Sequence, residues 1–204
     1  MLSASTLRSF FHPTYLEAGV DEVGRGSLIG PVVAAAVILP KNFSHLHLKD
    51  SKLLSKTERE TIAEEIKLEA LDYSIASASV EEIDTINILQ ASFLAMHRAI
   101  AQLKIVPELL LVDGNRFSPY PAIVHQCFVK GDNRFFSIAA ASVLAKTYRD
   151  ALITEYASEY PLYDWAKNMG YATAKHRKAI AEHGYTPLHR KSFHLKNTIT
   201  TTPS

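Results

Sequence analysis

The chain has 204 residues, 47% hydrophobic and 21% charged, enough to bury one substantial core. Its 22 Lys+Arg against 21 Asp+Glu give a formal net charge of +1, which excludes an overall basic polymer binder or a long acidic tail. A single cysteine, Cys127, excludes an intramolecular disulfide and a CxxC zinc site, and neither a secretory h-region nor an apolar run approaching the ~20 residues of a membrane span is present. A cytoplasmic protein is expected.

In chain order, residues 16–20 form an apolar strand leading into Asp21-Glu22 and a loop punctuated by Gly24 and Gly26. The Val- and Ala-rich run 31–39 is a second strand. Ser55 stands three residues before Glu58, a capping-box spacing, and Ile62, Ala63, Ile66 and Ala70 follow at helical intervals, so 55–71 is a helix. Residues 73–78 alternate as a strand does. Residues 88–103 carry Leu89, Phe93, Met96, Ile100 and Leu103 on one helical face. An apolar run ending in Asp113-Gly114 reads as a central strand whose C-terminal end opens onto a site, and 123–129 as a fifth strand, followed by Gly131-Asp132. Helices are expected over 137–156 and 173–183. The fold class is therefore α/β: a mixed five-stranded sheet flanked by helices, with a C-terminal helical segment.

Asp21, Glu22, Asp113 and Asp132 all sit beside glycines at strand ends. Four carboxylates gathered by a sheet would raise one another's pKa unless cations neutralise them. Oxygen ligands without accompanying His or Cys select hard ions, Mg²⁺ or Mn²⁺, and paired divalent ions suit in-line phosphoryl displacement. Spacing alone also allows four solvated turn residues. Asp21-Glu22 poses a geometric problem as well, because successive strand side chains point to opposite faces; either the strand kinks, or Glu22 contributes from another angle or through its carbonyl. Other chemistries fit worse. Gly24 to Gly30 has one residue too many for G-x-G-x-x-G, Ser142 to Lys146 is S-x-x-x-K and not S-x-x-K, and Cys127 lies inside an apolar strand.

The segment 19–26, Gly-Val-Asp-Glu-Val-Gly-Arg-Gly, followed by Gly30-Pro31 and an apolar strand, resembles the opening signature of the ribonuclease HII family. Asp50-Ser51-Lys52, Val112-Asp113-Gly114, Lys130-Gly131-Asp132, the stretch from Ser137 through Ser142 to Lys146, Arg149-Asp150, Gly170-Tyr171-Ala172-Thr173 and His176 agree in order, so the resemblance covers about residues 17–194. Arg25 in the glycine loop, Asp132 as the fourth acid and a start only 20 residues before Asp21 separate it from the ribonuclease HIII type. Asn168-Met169 stand where the family often has His-Lys.

The resemblance implies one RNase H-like catalytic domain over 1–204, with a core at about 17–160, a basic helical part at about 165–195 and a disordered tail at about 198–204. It implies a metal-dependent endonuclease that cleaves the RNA strand of RNA–DNA hybrids and incises 5′ to single ribonucleotides in duplex DNA. The products are 3′-hydroxyl and 5′-phosphate ends, and Mn²⁺ or Mg²⁺ is the cofactor, two ions during catalysis. Asp21, Glu22, Asp113 and Asp132 match the acidic metal site. Gly24, Arg25 and Gly26 match the loop that contacts the ribose 2′-hydroxyl, and Tyr171 the aromatic that packs on the next sugar. Arg25, Lys52, Lys146 and Arg149 are phosphate-contact candidates. Ser142, a further substrate-contact candidate, shares a helix face with Lys146 and Arg149, with Ile138, Ala141, Ala145 and Tyr148 expected on the packed one. Asp150 is expected to pair with Lys146 or another neighbour. His176, His183, His189 and His194 lack metal-ligand spacing and are expected at the surface or in structural roles.

The partners implied are RNA–DNA hybrid and ribonucleotide-containing duplex. A monomer with no membrane association is expected, and no sliding-clamp peptide is recognised. The near-zero charge conceals an asymmetry: residues 1–102 hold 9 bases and 13 acids, residues 103–204 hold 13 and 8. From Trp165 onward Lys167, Lys175, Arg177, Lys178, Arg190, Lys191 and Lys196 face a single acid, Glu182, so this segment is expected to hold the duplex backbone.

Overall fold

The structure is a computed structural model that describes residues 7–48 and 54–193. Lys52, His194, Lys196 and the tail lie outside the described residues. Strands β1 (Glu17–Val23), β2 (Val32–Ile38), β3 (Asp72–Ala78), β4 (Leu109–Asp113) and β5 (Val124–Phe128) form one sheet in the order β3-β2-β1-β4-β5. β1, β2 and β3 run as an antiparallel meander, while β4 and β5 add to β1 in parallel. The helices are α1 (Lys56–Glu69), α2 (Val80–Gln102), α3 (Phe136–Glu159), α4 (Trp165–Asn168) and α5 (Ala174–His183). This is the expected mixed α/β sheet flanked by helices.

The period of two in β2 divides the core. Val33, Ala35 and Val37 pack with Ile62 and Ile66 of α1 and with Phe136, Ala140 and Leu144 of α3. Val32, Ala34, Ala36 and Ile38 pack with Ala91, Ala95, Met96 and Ala99 of α2. Both faces of β2 are covered, which is why its sequence is continuously apolar. α3 lies unusually close to β1. A Cβ on Gly19 would fall 2.1 Å from the Ser137 carbonyl carbon and 2.3 Å from the Ile138 nitrogen. That contact seats the start of α3 against the strand carrying Asp21.

The helix expected from residue 88 begins earlier, at Val80, because Ser79 and Glu82 form a capping box. Asn87 interrupts the ladder with φ 68°, and its Oδ1 accepts from the amides of Leu89 (3.0 Å) and Gln90 (3.2 Å). It thereby caps the second segment, the part visible as helical periodicity. In α3, Ile138, Ala141 and Ala145 are buried as expected, but Tyr148 is 49% exposed. Arg149 and Asp150 occupy the buried positions there instead.

A smaller apolar cluster, including Leu28, Ile29, Ile153, Tyr163, Trp165 and Ile180, docks α4 and α5 onto the end of α3 and the glycine loop. His176 and His189 are buried within this region, the structural one of the two placements expected for them. Trp165 Nε1 donates to His176 Nε2 (2.9 Å), His176 Nδ1 meets the Tyr171 carbonyl (3.0 Å), and the Nε2 atoms of the two histidines are 3.2 Å apart. The Thr186 amide donates to His189 Nδ1 at 2.9 Å. With both rings neutral, His176 protonated at Nδ1 and His189 at Nε2, each contact has a donor and an acceptor, and the single lone pair of His176 Nε2 is shared between Trp165 and His189.

Candidate active site

The acids meet where the sheet parts. Pairing of β1 with β4 ends at Val20↔Val112, whereas β1 continues against β2 through Val23↔Val33. Asp21 and Glu22 therefore lie on a stretch of β1 whose other side β4 has left, and Asp113 ends β4 beside it. This opening resolves the Asp21-Glu22 problem, because both residues line the same cavity without loss of the β2 pairing. Asp132 arrives from a 3₁₀ turn, Gly131–Asn133, entered through Lys130 in the left-handed region (φ 55°). The Gly131 amide donates to Asp113 Oδ1 at 2.6 Å, and a Cβ there would approach Ile138 Cδ1 to 2.6 Å. Glycine at 131 is thus what lets the turn press Asp132 toward β4.

Asp21, Glu22, Asp113 and Asp132 line a cavity of about 360 Å³ together with Val23, Arg59, Ser142, Val143 and Lys146. Burial raises the Asp21 carboxyl well above its ordinary range, and the charges of Glu22 and Asp113 add to the rise while the Ser142 hydroxyl opposes it. Glu22 is raised by burial too, despite Arg25 Nη1 at 3.0 Å from its Oε1. Among the described residues, no three His, Cys, Asp or Glu side chains converge tightly enough to hold an ion as they stand. The donor set nevertheless fits a hard divalent cation: all oxygen, closely grouped, and at Asp21 and Glu22 destabilised as anions by burial.

Ser142 and Lys146 reach the cavity as expected from α3. Arg149 does not. It shares their helix face, but that face runs beneath the glycine loop and α4, leaving Arg149 0% exposed with Nη2 donating to the Met169 carbonyl at 3.1 Å. Its expected role as an exposed phosphate contact is corrected accordingly. Its guanidinium carbon lies 5.6 Å from the Tyr171 ring centroid. Tyr171 itself is 38% exposed, and Ser27 and Tyr171 form an antiparallel bridge that fastens it to the loop. A Cβ on Gly26 would come 3.8 Å from Tyr171 Cε1, so the glycine loop and the aromatic form one surface. Asn168 braces this corner, donating from Nδ2 to the Tyr163 carbonyl (2.8 Å) and accepting the Gly170 amide at Oδ1 (2.8 Å).

Two residues at this site escaped the sequence reading. Arg59 lines the acid cavity, and its Nη2 lies 2.8 Å from Asp150 Oδ2, while Lys146 Nζ lies 2.7 Å from Asp150 Oδ1. The available signal was a charge on the stripe of Ile62, Ala63 and Ile66. Arg190, counted among the bases of a duplex-holding surface, is 1% exposed. Lys167, Lys175, Arg177, Lys178 and Lys191 do remain at the surface.

The ribonuclease HII family model matches residues 18–196. Ribonuclease HII of Bacteroides thetaiotaomicron is 56% identical over 189 residues, 93% of this chain and 94% of its own. That of Parabacteroides distasonis is 59% identical over 180 residues, 88% of this chain and 90% of its own. The ribonuclease H2 structure from Pyrococcus horikoshii OT3 superposes with a TM-score of 0.74 at 26% identity, covering 87% of this chain and 93% of that one. The ribonuclease HII of a PCNA complex from Archaeoglobus fulgidus gives 0.73 at 26% identity, covering 91% and 98%. A Bst ribonuclease HIII in complex with Mn²⁺ shares the fold at a TM-score of 0.65 and 20% identity, over 83% of this chain and 63% of that one. The chain belongs to the ribonuclease HII family and is a metal-dependent ribonuclease acting on RNA–DNA hybrids.

Proposed function

We propose that this enzyme, besides cutting the RNA strand of hybrids, incises 5′ to single ribonucleotides embedded in duplex DNA, leaving 3′-hydroxyl and 5′-phosphate ends. The observation that carries the reading is the cavity lined by four acids from β1, β4 and the 131–133 turn, next to a glycine loop faced by Tyr171. Asp21, Glu22, Asp113 and Asp132 would hold two Mn²⁺ or Mg²⁺ ions, which when bound supply an activated water and offset charge on the leaving oxygen. Lys146 and Arg59, anchored by Asp150, present cations to a phosphate at the cavity wall. The loop at Gly24, Arg25 and Gly26 offers backbone close to the ribose 2′-hydroxyl, and Tyr171 stacks on the neighbouring sugar. The exposed cations Lys167, Lys175, Arg177, Lys178 and Lys191 follow the duplex backbone. We take the chain to act as a monomer.

The test is cleavage of a DNA duplex carrying one ribonucleotide, with Mg²⁺, Mn²⁺ or EDTA, alongside an all-RNA strand on DNA. Metal-dependent cutting at a single site 5′ to the ribonucleotide is expected. Cutting in EDTA, or a folded preparation that cuts the hybrid and leaves the single ribonucleotide intact, would refute the reading.

A further inference from the structure

Arg190 is 1% exposed, yet among the described residues no carboxylate lies within ion-pair distance of it. A guanidinium is costly to bury, and an apolar side chain would fill the same space at less cost. What arginine alone offers is a rigid planar fork of donors. All three directions of that fork are used on backbone carbonyls far back along the chain: Nε donates to Gly30 (2.9 Å), Nη1 to Arg25 (3.1 Å) and Nη2 to Pro31 (3.1 Å). The main chain of Arg190 joins in, its amide donating to the Leu28 carbonyl at 2.9 Å. The 25–31 loop is thus gripped at four carbonyls by one residue.

The Arg25 carbonyl is the consequential one. It shares a peptide plane with the Gly26 N–H, and in a trans peptide the two groups point in opposite directions. Drawing the carbonyl inward to Arg190 turns the Gly26 N–H outward. Among the described residues that N–H meets no acceptor, and Gly26 lies against the exposed Tyr171 ring. An outward, unspent donor at the foot of the aromatic is placed for a sugar hydroxyl. Arg149 supports the other half of the same surface, beneath the Tyr171 ring, with its Nε 2.5 Å from where a Gly24 Cβ would stand.

We propose that Arg190 is the positioning residue for ribose recognition: by fixing the Arg25 carbonyl it holds the Gly26 N–H toward the 2′-hydroxyl and so sets the preference for ribose over deoxyribose. This rests on the reading of the glycine loop as the ribose contact. The test compares wild type with Arg190→Lys, which keeps a long side chain ending in a nitrogen donor but removes the planar fork. Affinities are measured by fluorescence anisotropy in Ca²⁺ for a duplex with one ribonucleotide and for the all-DNA duplex of the same sequence. In the variant the first is expected to weaken about tenfold, the loss of one well-aimed hydrogen bond, and the second to stay within about twofold. Unchanged discrimination overturns the proposal, and so does a parallel loss of both affinities, the mark of a merely structural residue. Wild type binding both duplexes equally would sink the ribose reading itself and the proposal with it, a result distinguishable because it is read before any substitution. If the Lys variant does not fold, the wild-type chain decides: the ¹⁵N resonance of Arg190 Nε–H should move on binding the ribonucleotide duplex and not the all-DNA duplex. A signal that responds equally to both, or to neither, overturns the proposal.

Discussion

Asp150 is the most informative single residue to neutralise, because one carboxylate restrains two cations of the acid cavity. Its side chain is 6% exposed, with Arg59 Nη2 at 2.8 Å and Lys146 Nζ at 2.7 Å on its two oxygens. Asp150→Asn preserves shape but removes the charge, and its amide turns a donor toward one of the two cations. The Arg59 bond is nearly dry, so its loss costs roughly 1.5–3 kcal/mol. The Lys146 end is partly solvated and contributes closer to about 1 kcal/mol. A loss of about 3 kcal/mol follows, and at about 2–4 °C per kcal/mol for a chain of this size the melting temperature should fall by roughly 6–12 °C. The freed cations should also raise KM for hybrid substrate more than they lower kcat. Differential scanning calorimetry and steady-state cleavage measure the two effects. A melting temperature within about 1 °C of wild type would refute the anchoring argument, and a fall in kcat at constant KM would show that the cations act on the reacting phosphate instead.

Asp113→Asn should abolish turnover while hybrid binding remains detectable by gel shift; wild-type rates would remove Asp113 from the reacting centre. Gly19→Ala places a methyl 2.1 Å from the backbone of α3, so soluble yield and cooperative melting should both be lost, and a normal melt would contradict the close seating of that helix. His189 is held down to about 4 by burial and by the neighbouring His176, against an ordinary 6.5. The unfolded chain then takes the proton first, so this contribution is full above about pH 6.5 and is lost as pH falls toward 4, at most about 3 kcal/mol. Urea denaturation of wild type and His189→Gln at pH 7 and 5 should show a gap that narrows at the lower pH; a constant gap would refute it. Replacing Lys175, Arg177 and Lys178 by Ala should flatten the dependence of log affinity on log salt by up to about 3, roughly 1 per phosphate contact, and an unchanged slope would take α5 off the duplex.

The sheet was legible because its strands announce themselves in different ways. β2 is buried on both faces and reads as an unbroken apolar run, β3 alternates, and β4 ends abruptly in Asp113-Gly114. The start of α2 was not, since Asn87 breaks the 3.6-residue period and detaches the first turns from the stripe that identifies the rest. The four acids could be nominated from their glycine neighbours, but their convergence depends on where β1 and β4 stop pairing, a property of register that no local pattern encodes.

Arginine was the least legible residue type, and the reason is physical. Formal charge assigns every guanidinium to solvent, yet a planar cation with five donors can be buried when backbone carbonyls or aromatic faces receive it. Arg190 does this beneath the glycine loop through three carbonyls, Arg149 only through Nη2 on the Met169 carbonyl and its approach to the Tyr171 ring, and Arg59 in part through Asp150. The net charge of +1 therefore conceals, among many ordinary surface charges, three groups with distinct roles: acids around a cavity, cations on the C-terminal surface, and interior cations that hold the main chain in place. Only the surface cations should be screened by salt, because the interior ones act through short bonds in a medium that ions do not enter. Raising ionic strength should thus weaken duplex binding while leaving the discrimination between ribose and deoxyribose nearly constant, since the second depends on the loop geometry that the buried arginines set. Discrimination that decayed with salt in step with affinity would mean that the loop is held by surface electrostatics after all.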